Sequence, residues 1–236
     1  MQPDATSPRL TAILGLFLVF TALLSALYLA AGRVAFVGAH LTEIYAVLFL
    51  VIPHLWQNRT GFPAPEFGPP LRGLLWGVGI SLVVCGLFAL GYELYFRTLC
   101  SGGLPVWNLG RSCRALHEFR FPGWSVTGHL ILIHAIAVAL PEEYFYRGFL
   151  QPLIVRSQTL AKMSAARRLA LAIGLQAVCF AIGHALVDFN PLRASVVFPG
   201  LLFGVLAAVS GGLWAPILFH TAANVLSETL EKGYFG

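Results

Sequence analysis

The sequence predicts an all-α fold, a polytopic membrane helix bundle with about seven transmembrane helices. Three observations predict it. Of 236 residues, 58% are hydrophobic and only 11% are charged, against about 25% charged in an ordinary soluble domain. The mean hydropathy is +0.78. The apolar residues are gathered into runs of about 18 or more, the length that crosses hydrocarbon. So little charge cannot cover a globule of this size with a solvated surface, which excludes a soluble enzyme, and the chain is too apolar for disorder. The net charge of +5 is spread without a long basic run. That argues against nucleic acid as a partner and suits Lys and Arg at the surface of a lipid bilayer.

The elements follow in order. Leu10–Ala31 is the first span, longer than the apolar region of a cleaved signal peptide and so read as retained. Phe36–Leu55 is the second, closed by Pro53 and Trp56. A linker rich in Pro and Gly, Asn58–Pro70, leads to the third span, Leu71–Phe96. Arg97–Trp124 is the longest polar segment; its Cys100 and Cys113 can pair if the loop faces an oxidising compartment. The last four spans are Ser125–Val155, Ala166–Val187, Ala194–Val209 and Leu213–Leu230, with Gly211-Gly212 turning the chain between the final two. Trp56, Trp124 and Trp214 mark span ends, as an aromatic belt does. Cys85 and Cys179 read as small buried hydrophobes.

The expected organisation is one integrated membrane domain: N-terminal helices with the polar loop over 1–124, and a C-terminal helix bundle over 125–236. Lys and Arg divide evenly between the two sides, so the inside-positive rule alone gives no orientation. The contrast between the basic group Arg156–Arg168 and the Cys100/Cys113 loop places the N-terminus in the cytoplasm.

Charge inside a span costs roughly 2.5–3.5 kcal/mol per residue on insertion scales, so each charged residue calls for a reason. The fourth span carries Pro141-Glu142-Glu143-Tyr144-Phe145-Tyr146-Arg147. At about 100° per residue, Glu143 and Arg147 stand one turn apart on one face, the geometry of an ion pair. Glu142 points away from Arg147 and is left without a local partner. Pro141 removes a backbone hydrogen bond and distorts the helix just before the group. The fifth span ends Phe180-Ala181-Ile182-Gly183-His184, and the last holds His220-Thr221-Ala222-Ala223-Asn224. His220 and Asn224 share a face one turn apart. A lone histidine in an apolar helix is commonly a hydrogen-bonded core residue. Two histidines, an amide and a spare carboxylate on three apolar helices point instead to a converging polar site.

Other candidates carry less. Glu43 and Glu93 lie near span ends, where carboxylates snorkel or cap. His129 and His134 read as locally hydrogen-bonded. His117-Glu118 lacks the second histidine of HExxH, no GxSxG occurs, and Cys179 lacks the electropositive, part-exposed setting of a reactive thiol.

Taken in order, Glu142-Glu143-x-x-x-Arg147, Phe180-x-x-x-His184 and His220-x-x-x-Asn224 resemble the CPBP family, the type II CAAX-prenyl-protease and Abi-type intramembrane proteases. The resemblance extends over roughly Ser125–Glu231 and includes the Gly-Gly-Leu-Trp-Ala-Pro turn before His220. It implies that Glu142 and His184 activate the attacking water and that His220 and Asn224 stabilise the oxyanion. Glu143, Arg147 and Phe180 are then structural support, in line with the helix-angle argument.

A carboxylate held in a low-dielectric bundle suits a general base, and donors fixed away from bulk water stabilise an oxyanion strongly. The resemblance favours a metal-free glutamate mechanism, so no cofactor is expected. Glu142, His184 and His220 as a three-ligand zinc site are the alternative. The expected partner is a protein substrate with a hydrophobic or lipidated C-terminal segment. The expected location is integral and multi-pass, in a bacterial inner membrane. The resemblance allows prenylated proteins, bacteriocin precursors or C-terminal sorting tails as substrates. The competing class is a non-catalytic membrane protein, a transporter or an immunity or scaffold protein, but no inverted repeat or pair of broken helices supports a transporter.

Overall fold

The computed structural model describes residues 7–95 and 119–235. Among these residues the chain is a bundle of eight helices without a strand. They are α1 (Leu10–Ala31), α2 (Ala35–Ala39), α3 (Leu41–Thr60), α4 (Pro70–Tyr95), α5 (Trp124–Val155), α6 (Ala165–Val187), α7 (Val197–Ser210) and α8 (Trp214–Phe235). The Cys100/Cys113 pair lies outside the described residues.

Among the described residues, five helical stretches are long and apolar enough to cross a membrane: α1, α4, α5, α6, and α7 with its lead-in turn from Pro191. The expectation of about seven counted α3 and α8 as well. Both are long enough, at 20 and 22 residues, but more polar. α3 runs on to Thr60 through Gln57, Asn58 and Arg59, and α8 continues past Leu230 through Glu231 and Lys232. The second span therefore does not close at Leu55. Pro53 sits within α3, and Trp56 packs inward against Phe149 with ring centroids 6.3 Å apart rather than marking an end.

Side chains that would be a liability in water suit hydrocarbon. On α4, Leu82, Leu87 and Leu90 are 73%, 65% and 70% exposed, as expected of a helix with lipid on one side. The opposite face of α4 lies close against α8 because Gly73 and Gly77 carry no side chain. A Cβ on Gly73 would stand 2.4 Å from Trp214 Cβ, and one on Gly77 2.9 Å from Leu218 Cβ. Small residues four apart are the usual means of bringing membrane helices together.

The interior is aromatic. Phe17 and Phe20 of α1, Phe49 of α3, Phe145 and Phe149 of α5, Phe180 of α6, Phe203 of α7 and Phe219 of α8 form one buried cluster. The rings meet edge to face, as Phe20 does on Phe49 at 5.1 Å and Tyr146 on Phe180 at 5.0 Å, the arrangement that aromatic quadrupoles favour. Helix α5 crosses this core and absorbs Pro141 without ending. π-helical stretches at Ile133–Ala139 and Tyr144–Leu150 flank the single α-turn Leu140–Glu143. The distortion expected at Pro141 thus takes the form of wide turns, which are frequent at functional sites.

Candidate active site

The helix angles predicted from sequence hold across the α-turn. Arg147 Nη1 donates to Glu143 Oε1 at 2.8 Å, and both side chains are fully buried. The guanidinium is further held by three groups. Nη2 donates to the Gly200 carbonyl at 3.2 Å, and the cation lies over the rings of Phe180 and Phe203, 4.5 and 4.8 Å from their centroids. Such desolvated cation–π contacts offset part of the cost of burying the charge. Gln176, also buried, donates to the same Gly200 carbonyl at 2.9 Å.

Glu143 has a second partner that the helix angles alone do not reveal. Its Oε1 also lies 2.8 Å from Nδ1 of His220 on α8. A carboxylate only accepts, so Nδ1 of His220 carries the proton. The Glu143–Arg147 pair therefore joins α5 directly to a predicted site residue and fixes the direction of its ring. Phe203 stacks on that ring at 4.6 Å and 18°.

His184 is fixed in the same way from α6. Its Nδ1 donates to the Phe180 carbonyl at 3.0 Å, and the two rings lie 4.3 Å apart. Phe180 thus supports the site three ways, through its carbonyl, its face toward Arg147 and its edge toward His220. With both Nδ1 atoms spent on acceptors, Nε2 is the nitrogen that each imidazole turns toward Glu142. Glu142 Oε2 stands 3.9 Å from Nε2 of His184 and 3.9 Å from Nε2 of His220. That oxygen is buried and has no hydrogen-bond partner among the described residues. A gap of this width suits a bridging water.

Glu142, His184, His220 and Asn224 line one cavity of about 1180 Å³, together with Phe180 and His134. Its walls include Val84 and Phe88 of α4, Val138 of α5 and Leu202 of α7. Cys85, half-buried rather than fully enclosed, also faces this space, whereas Cys179 is buried as expected. All four predicted site residues are therefore brought to one chamber.

The zinc alternative meets a geometric obstacle. Bonds of about 2.0–2.1 Å place tetrahedral zinc ligands roughly 3.3–3.4 Å apart, closer than the separations around Glu142. Among the described residues no group of three His, Cys, Asp or Glu side chains is disposed to hold a metal ion.

The sequence reading missed one partner of Asn224, His134, and the carboxylate behind it, Glu228. His134 on α5 is not locally bonded. Its Nε2 lies 2.8 Å from Glu228 Oε2 on α8, and its Nδ1 lies 3.5 Å from Asn224 Nδ2. The signal was the four-residue register His220, Asn224, Glu228, Lys232, which continues through the point where the last span was closed.

Residues 124–226 match the family model described as type II CAAX prenyl endopeptidase Rce1-like. The matched stretch begins with α5, ends within α8 and takes in all three motifs, in agreement with the CPBP resemblance; α1 to α4 lie outside it. No curated protein and no solved structure matches the chain. The match supports a membrane protease of the CAAX type in general.

Proposed function

With the Rce1-like segment as premise, we propose that the chain is an intramembrane endopeptidase. It hydrolyses a peptide bond near the C-terminus of a membrane-associated or lipidated protein, using water activated by Glu142 and His184. The observation that carries this reading is Glu142 Oε2, a buried carboxylate oxygen without a donor among the described residues and flanked by two oriented imidazoles. A structural carboxylate in a membrane bundle is paired, as Glu143 is; an unpaired one aimed into a cavity is poised for chemistry.

In this mechanism a water held between Glu142 and His184 gives one proton to Glu142 as its oxygen bonds to the scissile carbonyl carbon. The carbonyl oxygen gains the negative charge and takes hydrogen bonds from Asn224 Nδ2 and from His220. The donor on His220 for this step is Nε2–H, with Nδ1–H remaining on Glu143. When the tetrahedral intermediate collapses, the C–N bond breaks and the proton on Glu142 passes to the leaving amine. The apolar walls receive the hydrophobic or lipidated segment of the substrate, and no cofactor takes part.

The test uses purified protein in lipid vesicles with a peptide ending in a prenylated Cys-aliphatic-aliphatic-X sequence. Cleavage is expected, unchanged by strong zinc chelators, with no stoichiometric metal by elemental analysis. One zinc per chain, lost together with activity and restored with it, would overturn the metal-free step. Loss of cleavage on every C-terminal peptide, prenylated or plain, would count against the protease itself.

A further inference from the structure

Helix α8 presents His220, Asn224, Glu228 and Lys232 at successive turns, all facing the same cavity. The third and fourth of these have no part in the mechanism above, and neither does His134, which faces them from α5. From their geometry we infer that His134 and Glu228 form a positioning pair that sets which end of the Asn224 amide faces the reacting carbonyl. The inference rests on the oxyanion role proposed for Asn224.

Donors and acceptors around Asn224 fix the orientation of its amide. Glu228 Oε2 accepts from His134 Nε2 at 2.8 Å, and Lys232 Nζ lies 3.5 Å from the other carboxylate oxygen, Oε1. Lys232 helps keep Glu228 ionised and therefore acceptor-only. His134 Nε2 must carry the proton, which leaves Nδ1 as a lone pair. The group that Asn224 turns toward Nδ1, across 3.5 Å, is its NH2. An amide nitrogen has two N–H bonds. One is directed to His134, and the second remains on the same nitrogen, available to the oxyanion. Without the lone pair on His134, the amide is free to turn by half a rotation and bring its carbonyl oxygen to the place where negative charge develops. The side chains of His134 and Glu228 are 15% and 34% exposed, so the pair is partly shielded yet sits at the edge of the site rather than in the core.

Such a pair is expected to act on turnover and to leave binding nearly unchanged. His134→Phe keeps the ring and removes the acceptor; Glu228→Ala frees the tautomer; Glu228→Gln retains an oxygen able to accept from Nε2. In vesicles, His134→Phe and Glu228→Ala should each lower kcat by on the order of tenfold, less than the 10²–10³ expected from deleting a donor, with KM within about twofold. Glu228→Gln should recover most of that loss, since acceptance rather than charge is what matters. In an Asn224→Ala background, none of the three should lower kcat further.

Wild-type kcat in Glu228→Ala and His134→Phe, with Asn224→Ala impaired, would overturn the inference alone. So would equal losses in the presence and absence of Asn224, which would mark the pair as merely structural. Wild-type kcat in Asn224→Ala would overturn the oxyanion role and this inference together. Should His134→Phe fail to fold, the Glu228 variants at the cavity edge decide the matter.

Discussion

Glu142→Gln is expected to abolish proteolysis while the protein still inserts and folds. Glutamine preserves the shape of the side chain but cannot take the proton of the attacking water. Loss of a general base typically costs about 10²–10⁴ in rate, and the adjacent carboxylate is not free to substitute. Glu143 is already bound to Arg147 and His220. Because Oε2 of Glu142 is without a hydrogen-bond partner among the described residues, the substitution removes no protein contact of that atom. Thermal unfolding in detergent should therefore match wild type. Near-normal cleavage by a folded Glu142→Gln protein is the outcome that sinks the glutamate mechanism.

Arg147→Ala is expected to show the opposite pattern, with stability lost first. It strands Glu143 among Phe180, Phe203 and His220 without its cation, and breaking a buried pair from one side costs about 3–5 kcal/mol. That is a large share of the roughly 5–15 kcal/mol that holds a typical domain together, so low yield and early unfolding should follow. The double variant Glu143→Met, Arg147→Met should regain much of the stability, since apolar side chains of similar size often replace a buried pair without penalty. It should not regain activity, because His220 then has no acceptor at Nδ1 and its ring loses its orientation. Full stability in Arg147→Ala, or full activity in the double variant, would show that the pair does neither job.

The parts of the fold carried by local periodicity were legible in the sequence. The long apolar runs became α1, α4, α5 and α6 within a residue or two, since length and composition alone decide those elements. The ends of α3 and α8 were not, because polar residues such as Asn58 and Lys232 continue a helix at the protein surface as readily as they end a hydrophobic run. The Glu143–Arg147 pair was readable from helical spacing. The bond from Glu143 to His220 was not, because it spans 77 residues of sequence and depends on how α5 meets α8. His134 was discounted for the same reason: its partner Glu228 is on another helix. Gln176 and Gly200, which complete the support of Arg147, gave no sign in an apolar sequence until α6 and α7 were seen side by side.

Three helices deliver one hydrolytic centre, and the most direct test compares chemistry with binding in single variants. His184→Ala, His220→Ala and Asn224→Ala should each bind a substrate peptide nearly as well as wild type. In single-turnover cleavage the two oxyanion variants should be slower by on the order of 10²–10³, and His184→Ala should be at least as slow because it impairs formation of the nucleophile. Strongly weakened binding by Asn224→Ala, with bound substrate cut at the wild-type rate, would make Asn224 a docking residue and contradict the assigned oxyanion site.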